Sequence, residues 1–412
     1  MFRKTIAESD PVLDALVAAE ENRQKNTLEM IASESVQPAA ALRLAGSAFN
    51  NKTAVGNPNK QRLKGSQYAS ELEKLVAGRA CDLFGADHAI VTPYSGSVAN
   101  YCAYSAFLQP GDRVLAMDPS AGAHQTHGGK NNVSSRMYQF AYFGLDPETM
   151  LIDYEKAETL AESFHPKLVV VGSAAYSRKI DYERLAGIAH SVGAVFMTDI
   201  AHFTGLVAAG LSPNPVPFAD VVTASTTKTM CGPHSAFIMC KKQYADAIDQ
   251  SVYPGVVASL HLQTIAAMGY ALHRASSEEF RALMRRVVDN AQSFCAALKK
   301  RGFGIVTGGT DCHMFVVDLR PFGVDCEKLA EVMETAGITV NTKSIPYDNS
   351  PTAQGLRAGT TVLTQRGMGA KEMEEIADLW LTLVNGMEDP VTVANVGEKV
   401  RDLCRRFPLP ET

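Results

Sequence analysis

Short apolar runs separated by amphipathic segments fix the fold class of this chain. Ala89–Thr92, Arg113–Met117, Leu168–Val171, Val195–Thr198, Val221–Thr223 and Ala236–Met239 each have the length of a buried strand, and stretches with helical periodicity lie between most of them. A strand followed by a helix and another strand returns parallel to itself, so the pattern predicts an α/β protein built on a largely parallel sheet. Such a sheet places its ligand beyond the carboxyl ends of the strands, which makes the polar residues just after these runs the ones to inspect.

At 412 residues the chain is too long for one ordinary core, and two packed units are expected. Ser9-Asp10-Pro11 is a helix start, with Val12, Leu13, Leu16 and Val17 at helical spacing, and it opens an N-terminal helical arm over 1–35. A large domain follows over 36–280. One long helical stretch from about Leu260 to Arg301 leads into a smaller C-terminal α+β domain, 281–412. There the strands Phe315–Leu319 and Thr339–Val340 flank the helix Cys326–Ala336, and two amphipathic helices close the chain.

The net charge of -5 is spread over interspersed acids and bases, which leaves no basic stripe for nucleic acid. No stretch reaches the ~18 apolar residues of a membrane span, and the N-terminus lacks an apolar leader core. The 8 cysteines are scattered without a CxxC pair or metal-ligand spacing, so reduced thiols, a cytoplasmic location and no metal site are expected.

Four strand-end features together match what pyridoxal 5'-phosphate needs. Ser95-Gly96-Ser97 precedes a helix and offers hydroxyls, a close-approach glycine and free amides to a phosphate; a plain Ser/Gly cap would look the same. Asp199 ends Val195–Thr198 and can pair with a protonated pyridine nitrogen, although a helix cap is the commoner use. Lys228 lies in Thr223-Ala224-Ser225-Thr226-Thr227-Lys228-Thr229, among small residues that leave room for a Schiff base with the cofactor aldehyde; alone it would read as a solvated loop lysine. His124, in Ala123-His124-Gln125-Thr126-His127-Gly128, can stack on the ring or simply pack.

These residues, with Leu28-Glu29-Met30-Ile31-Ala32-Ser33-Glu34-Ser35, Phe84-Gly85-Ala86-Asp87, Gly205-Leu206-Val207-Ala208-Ala209-Gly210 and Gly355-Leu356-Arg357-Ala358-Gly359-Thr360, strongly resemble the serine hydroxymethyltransferase family from about residue 10 onward. The resemblance implies a fold-type I pyridoxal-phosphate enzyme, a homodimer with shared active sites. It makes Lys228 the Schiff-base lysine, Asp199 the pyridinium partner and His124 the stacking ring. Ser95, Gly96 and Ser97 would hold the phosphate, and His202 would lie against the phenolic oxygen. Ser33 and Arg357 would bind the substrate carboxylate.

The departures lie elsewhere. The family's Asn-Lys-Tyr-Ala-Glu-Gly-Tyr-Pro-Gly-Lys-Arg-Tyr-Tyr-Gly-Gly segment is here Asn51 to Gly65, with Thr53 for the tyrosine that reaches the cofactor site from the neighbouring subunit. Val55 replaces the proton-handling glutamate, and Arg62 and Leu63 replace the paired tyrosines. Thr227 replaces a histidine, His234 an arginine, and Pro254-Gly255-Val256-Val257-Ala258-Ser259-Leu260 a glycine-rich loop in which Gly255 persists. Retained cofactor residues beside a changed substrate side point to a changed reaction partner. The expectation is cleavage or formation of the Cα–Cβ bond of a β-hydroxy-α-amino acid with an aldehyde and without tetrahydrofolate, as an aldolase or transaldolase.

Val55 cannot take a proton, and His124, Thr227 or a water are the open candidates for that task. Lys60, Arg62 and Lys64 are read as a basic entrance favouring an acidic or phosphorylated partner, or as a solvated loop. A folate-dependent hydroxymethyltransferase, an aminotransferase, decarboxylase or racemase, and a non-catalytic cofactor-binding protein remain the alternatives.

Overall fold

The computed structural model describes residues 5–58, 60–348 and 350–410, so Asn59 of the divergent segment and the outermost residues of the arm lie outside the described residues. Helices Ile6–Ser9 and Pro11–Asn26 form the arm, the second capped by Asp10, whose side chain accepts from the Leu13 amide at 3.1 Å. None of the apolar residues that mark this helix is buried; Val12 is 72% and Leu16 64% exposed. The arm ends in a two-residue strand, β1 (Leu28–Glu29).

The main sheet has seven strands: β2 (His88–Ile90), β3 (Arg113–Met117), β4 (Gln139–Phe143), β5 (Leu168–Gly172), β6 (Val195–Asp199), β7 (Val221–Ser225) and β8 (Ala236–Cys240). Their order is β2-β8-β7-β6-β5-β3-β4, and only β8 runs against its neighbours. The alternation of side chains explains the apolar runs: Val169, Val171 and Phe196 face one core while Leu168, Val170 and Met197 face another. The sequence reading missed β4, an edge strand that only one neighbour covers and whose Gln139 is exposed.

The predicted long helix over 260–301 is two helices, Leu262–Ala275 and Glu278–Lys300. Ser277 breaks it by capping the second, its hydroxyl accepting from the Phe280 amide at 3.2 Å. Phe280, Met284 and Val287 of that helix belong to the core of the main sheet, and Ala291, Phe294 and Leu298 to a second core.

The second core is roofed by a four-stranded sheet of β9 (Gly304–Ile305), β10 (Met314–Asp318), β12 (Asn341–Lys343) and β13 (Gly355–Gly359), in the order β12-β13-β10-β9. The expected strand Thr339–Val340 is divided. β11 (Ile338–Thr339) pairs in parallel with β1, while β12 begins only at Asn341 and pairs with β13. Leu28 and Met30 are thereby fully buried in the second core. Helices Cys326–Thr335, Ala370–Gly386 and Pro390–Arg406 complete it. No described helix is long and apolar enough to cross a membrane.

Candidate active site

Beyond the carboxyl ends of the main strands lies a cavity of about 650 Å³ whose wall includes Ser33, Ser95, Gly96, Ser97, Asn100, His124, Asp199, His202, Thr227 and Lys228. Residues taken from four separate strand ends and from the segment after β1 thus meet in one place. Of the remaining expected residues, Arg357 approaches from the second core, and Thr53, Arg62 and Gly255 are exposed outside this wall.

Asp199, the last residue of β6, is held from three sides. Its Oδ1 accepts from the Ala201 amide at 2.8 Å, and its Oδ2 from Asn100 Nδ2 at 2.9 Å and from His127 Nε2 at 3.2 Å. Asn100 is itself fixed, accepting from Thr223 Oγ1 at 2.6 Å and donating to Thr126 Oγ1 at 2.9 Å. A carboxylate only accepts, so His127 donates through Nε2 and its Nδ1 accepts from the Tyr104 hydroxyl at 2.6 Å. Burial alone would raise the Asp199 carboxyl; the hydrogen bond from His127, joined by the Lys228 ammonium, outweighs it and holds the group well below the usual carboxylate range. An ionised carboxylate is therefore fixed at the cavity floor.

Lys228 begins the short turn after β7 with φ of 52°, in the left-handed region. The turn is pinned to the Asp199–His202 segment through Thr229, whose Oγ1 accepts from the Gly205 amide at 3.1 Å and donates to the His202 carbonyl at 2.8 Å. Only glycine permits that approach, because a Cβ at residue 205 would sit 2.2 Å from the Thr229 carbonyl oxygen. Burial lowers the Lys228 ammonium, Asp199 opposes this, and Arg357 adds to it. A larger share of neutral, nucleophilic amine follows.

Ser95 caps the helix Gly96–Phe107, accepting from the Val98 amide at 3.3 Å, as the plain Ser/Gly cap would. The amides of Gly96 and Ser97 open the helix and have no partner within it. A Cβ at residue 96 would meet only Ala201, at 3.8 Å, so packing within the chain does not require glycine there; its free side lies on the cavity. His124 is half-buried, with Nδ1 2.7 Å from Thr126 Oγ1 and accepting from the Thr126 amide at 3.3 Å. Burial lowers its pKa against the pull of Asp199.

His202 is buried against His313, the rings stacked with centroids 5.6 Å apart. Burial, then Lys228 and Arg357, keeps His202 well below the ordinary histidine value. Arg357 of β13 donates from Nε to Asn341 Oδ1 at 3.0 Å and from Nη1 to the Ala174 carbonyl, which leaves part of its guanidinium free.

An anion cradle at a helix N-terminus, an ionised carboxylate, a histidine and a lysine of lowered basicity fit the phosphate, pyridine nitrogen, ring face and aldehyde of pyridoxal phosphate. Asn100, His127, Tyr104 and His313 were not singled out from the sequence. The signal for His127 was its place in the His124 motif, three residues on.

The divergent segments pack together away from this wall. Val55 forms an antiparallel bridge to Ser259, the Leu260 amide donates to the Ala54 carbonyl at 3.1 Å, and the Arg62 guanidinium lies 5.7 Å from the centre of the Tyr253 ring. Tyr94 stacks on His261 at 4.2 Å and bonds the Ser259 carbonyl. The changes in the two segments therefore form one patch.

Comparison with known proteins identifies the family. The family model described as serine hydroxymethyltransferase matches residues 6–380. A protein of Sorangium cellulosum (strain So ce56) named serine hydroxymethyltransferase is 41% identical over 409 residues, covering 99% of this chain and 97% of that one. Enzymes of this family are transferases that use pyridoxal 5'-phosphate. The chain belongs to the serine hydroxymethyltransferase family.

Proposed function

We propose that this enzyme makes and breaks the Cα–Cβ bond of a β-hydroxy-α-amino acid and exchanges the aldehyde directly, without tetrahydrofolate. The observation that carries the reading is the gathering of Lys228, Asp199, His124 and Ser95 to Ser97 on one cavity wall, with Arg357 reaching in from the other core. Pyridoxal phosphate, when bound, supplies an electron sink for a carbanion at Cα. The chain's own groups do the rest. Ionised Asp199 would hold a proton on the pyridine nitrogen, and the His124 ring would lie against the ring face. The free edge of the Arg357 guanidinium, with the Ser33 hydroxyl, orients the amino-acid carboxylate.

The β-hydroxyl proton needs an acceptor, and Val55, bridged to Ser259, offers none. The Thr126 amide donates to His124 Nδ1, which puts the neutral ring's proton on Nε2 and makes His124 a donor. Thr227, its hydroxyl 2.9 Å from Ser225 Oγ, is suited to pass the proton to water. Two copies form the working unit in this reading, with Val12, Leu13, Leu16 and Val17 covered by the partner and the Thr53, Arg62 and Gly255 patch completing its site.

The 41% likeness to a protein named serine hydroxymethyltransferase favours a second reading, hydroxymethyl transfer through tetrahydrofolate. Incubation with serine or threonine, with and without tetrahydrofolate and with added aldehydes, separates the two. Release of glycine and aldehyde without folate is the expected result, and a strict requirement for folate installs the second reading. Beside this, wild type with added pyridoxal phosphate is expected to show a visible absorption band that Lys228→Ala lacks. A wild type without that band overturns the assignment of the site.

A further inference from the structure

The side of the small sheet that meets the main domain carries more positive charge than one amino acid can answer. Arg357 lies opposite Asn341 in the register of β12 and β13, and Lys343 lies opposite Gly355. Alternation along each strand puts Asn341, Lys343 and Arg357 on one face, with the two cations as diagonal neighbours at about 7–8 Å between backbones. Lys343 also lines a narrow crevice between the two cores with Gly122 and Ala175, with about 10 Å³ of free space, so it is its position beside Arg357 that matters. Ala175 follows Ala174, the residue whose carbonyl holds Arg357, so Lys343 and Arg357 meet the same short segment of the main domain.

Neither cation has a carboxylate partner among the described residues. Arg357 is held by an amide oxygen and a carbonyl, both neutral, and Lys343 has no hydrogen bond or ion pair there. Burial and then Arg357 lower the Lys343 ammonium, and burial lowers Arg357. A partly buried cation without a counter-charge gains more from an anion than an exposed one does. Lys60, Arg62 and Lys64, the sequence's candidates for attracting an acidic partner, are exposed outside the cavity wall and cannot fill this role within one chain.

We propose that Lys343 binds a second anionic group, a carboxylate or a phosphate, carried by the molecule that reacts at Cα, while Arg357 holds the amino acid's own carboxylate. This rests on the reading of the site given above. The aldehyde partner, or the side chain formed from it, is thereby acidic rather than simply apolar.

The test uses holoenzyme saturated with glycine, so that Arg357 is already engaged, titrated calorimetrically with inorganic phosphate and separately with succinate. Wild type is expected to bind at least one of them saturably, and which one binds tells phosphate from carboxylate. Lys343→Met is expected to weaken that binding roughly tenfold or more, while Lys343→Arg, which keeps the charge and guards against a folding defect, stays within about threefold of wild type. No saturable binding to wild type, or equal affinity in wild type and Lys343→Met, overturns the proposal. Glycine binding by Arg357→Lys is measured alongside; if it is undiminished, the carboxylate reading of the main site fails, and the anion result for Lys343 is judged on its own.

Discussion

The cavity floor depends on single atoms. Tyr104→Phe removes the donor to His127 Nδ1 in a fully buried place, and the unpaired nitrogen is expected to cost about 1–3 kcal/mol in urea unfolding, followed at fixed cofactor concentration. His313 acts on stability through pH. Its Nε2 donates to the Ala32 carbonyl at 3.1 Å, its Nδ1 has no partner among the described residues, and burial pushes its pKa from 6.5 down to about 3. The unfolded chain takes up this proton first, so the contribution is complete above 6.5 and is lost as the pH falls toward 3. His313→Gln keeps a donor but cannot titrate. Its unfolding free energy is expected to fall less steeply with acid, by up to about 1.4 kcal/mol per pH unit. These residues escaped the sequence reading for a physical reason. His313 meets Ala32 across 281 positions and Asn100 meets Asp199 across 99, and no local period marks such pairs. Lys228 and Asp199 were legible because they follow apolar strands.

Elements were legible where one physical rule dominates. β3, β5, β6, β7 and β8 are apolar because both faces are covered, and the runs gave them away to within a residue or two at their ends. β13 has glycine at both ends and Arg357 in the middle, so its composition does not mark a strand, and it entered the reading only through the family motif. The break at Ser276 and Ser277 was hidden because helical periodicity persists on both sides of it. The cap that makes the break is testable. Ser277→Ala is expected to destabilise the protein by about 1 kcal/mol, read from the denaturation midpoint, with the helix Glu278–Lys300 still formed.

At the scale of the molecule, two cores are joined by more than a linker. The helix Glu278–Lys300 enters both, and Arg178 crosses between them to Asp311 at 3.0 Å and to the Thr307 carbonyl at 2.8 Å. The arm adds exposed apolar side chains that a single copy leaves bare. If a second copy covers them, Leu16→Glu lowers the sedimentation coefficient toward that of a monomer at micromolar concentration. An unchanged coefficient removes the arm from the interface.

The pairing of β1 with β11 also sets a schedule. Thr339 joins Leu28 across 311 positions, and Leu28 and Met30 have no exposed surface once it has done so. A ribosome adding about 5–20 residues per second needs roughly 15–60 s to cover that distance. During that interval the segment that will carry Ser33 has left the tunnel with its apolar neighbours still wet. The second core therefore closes late in synthesis, around residues that were made first.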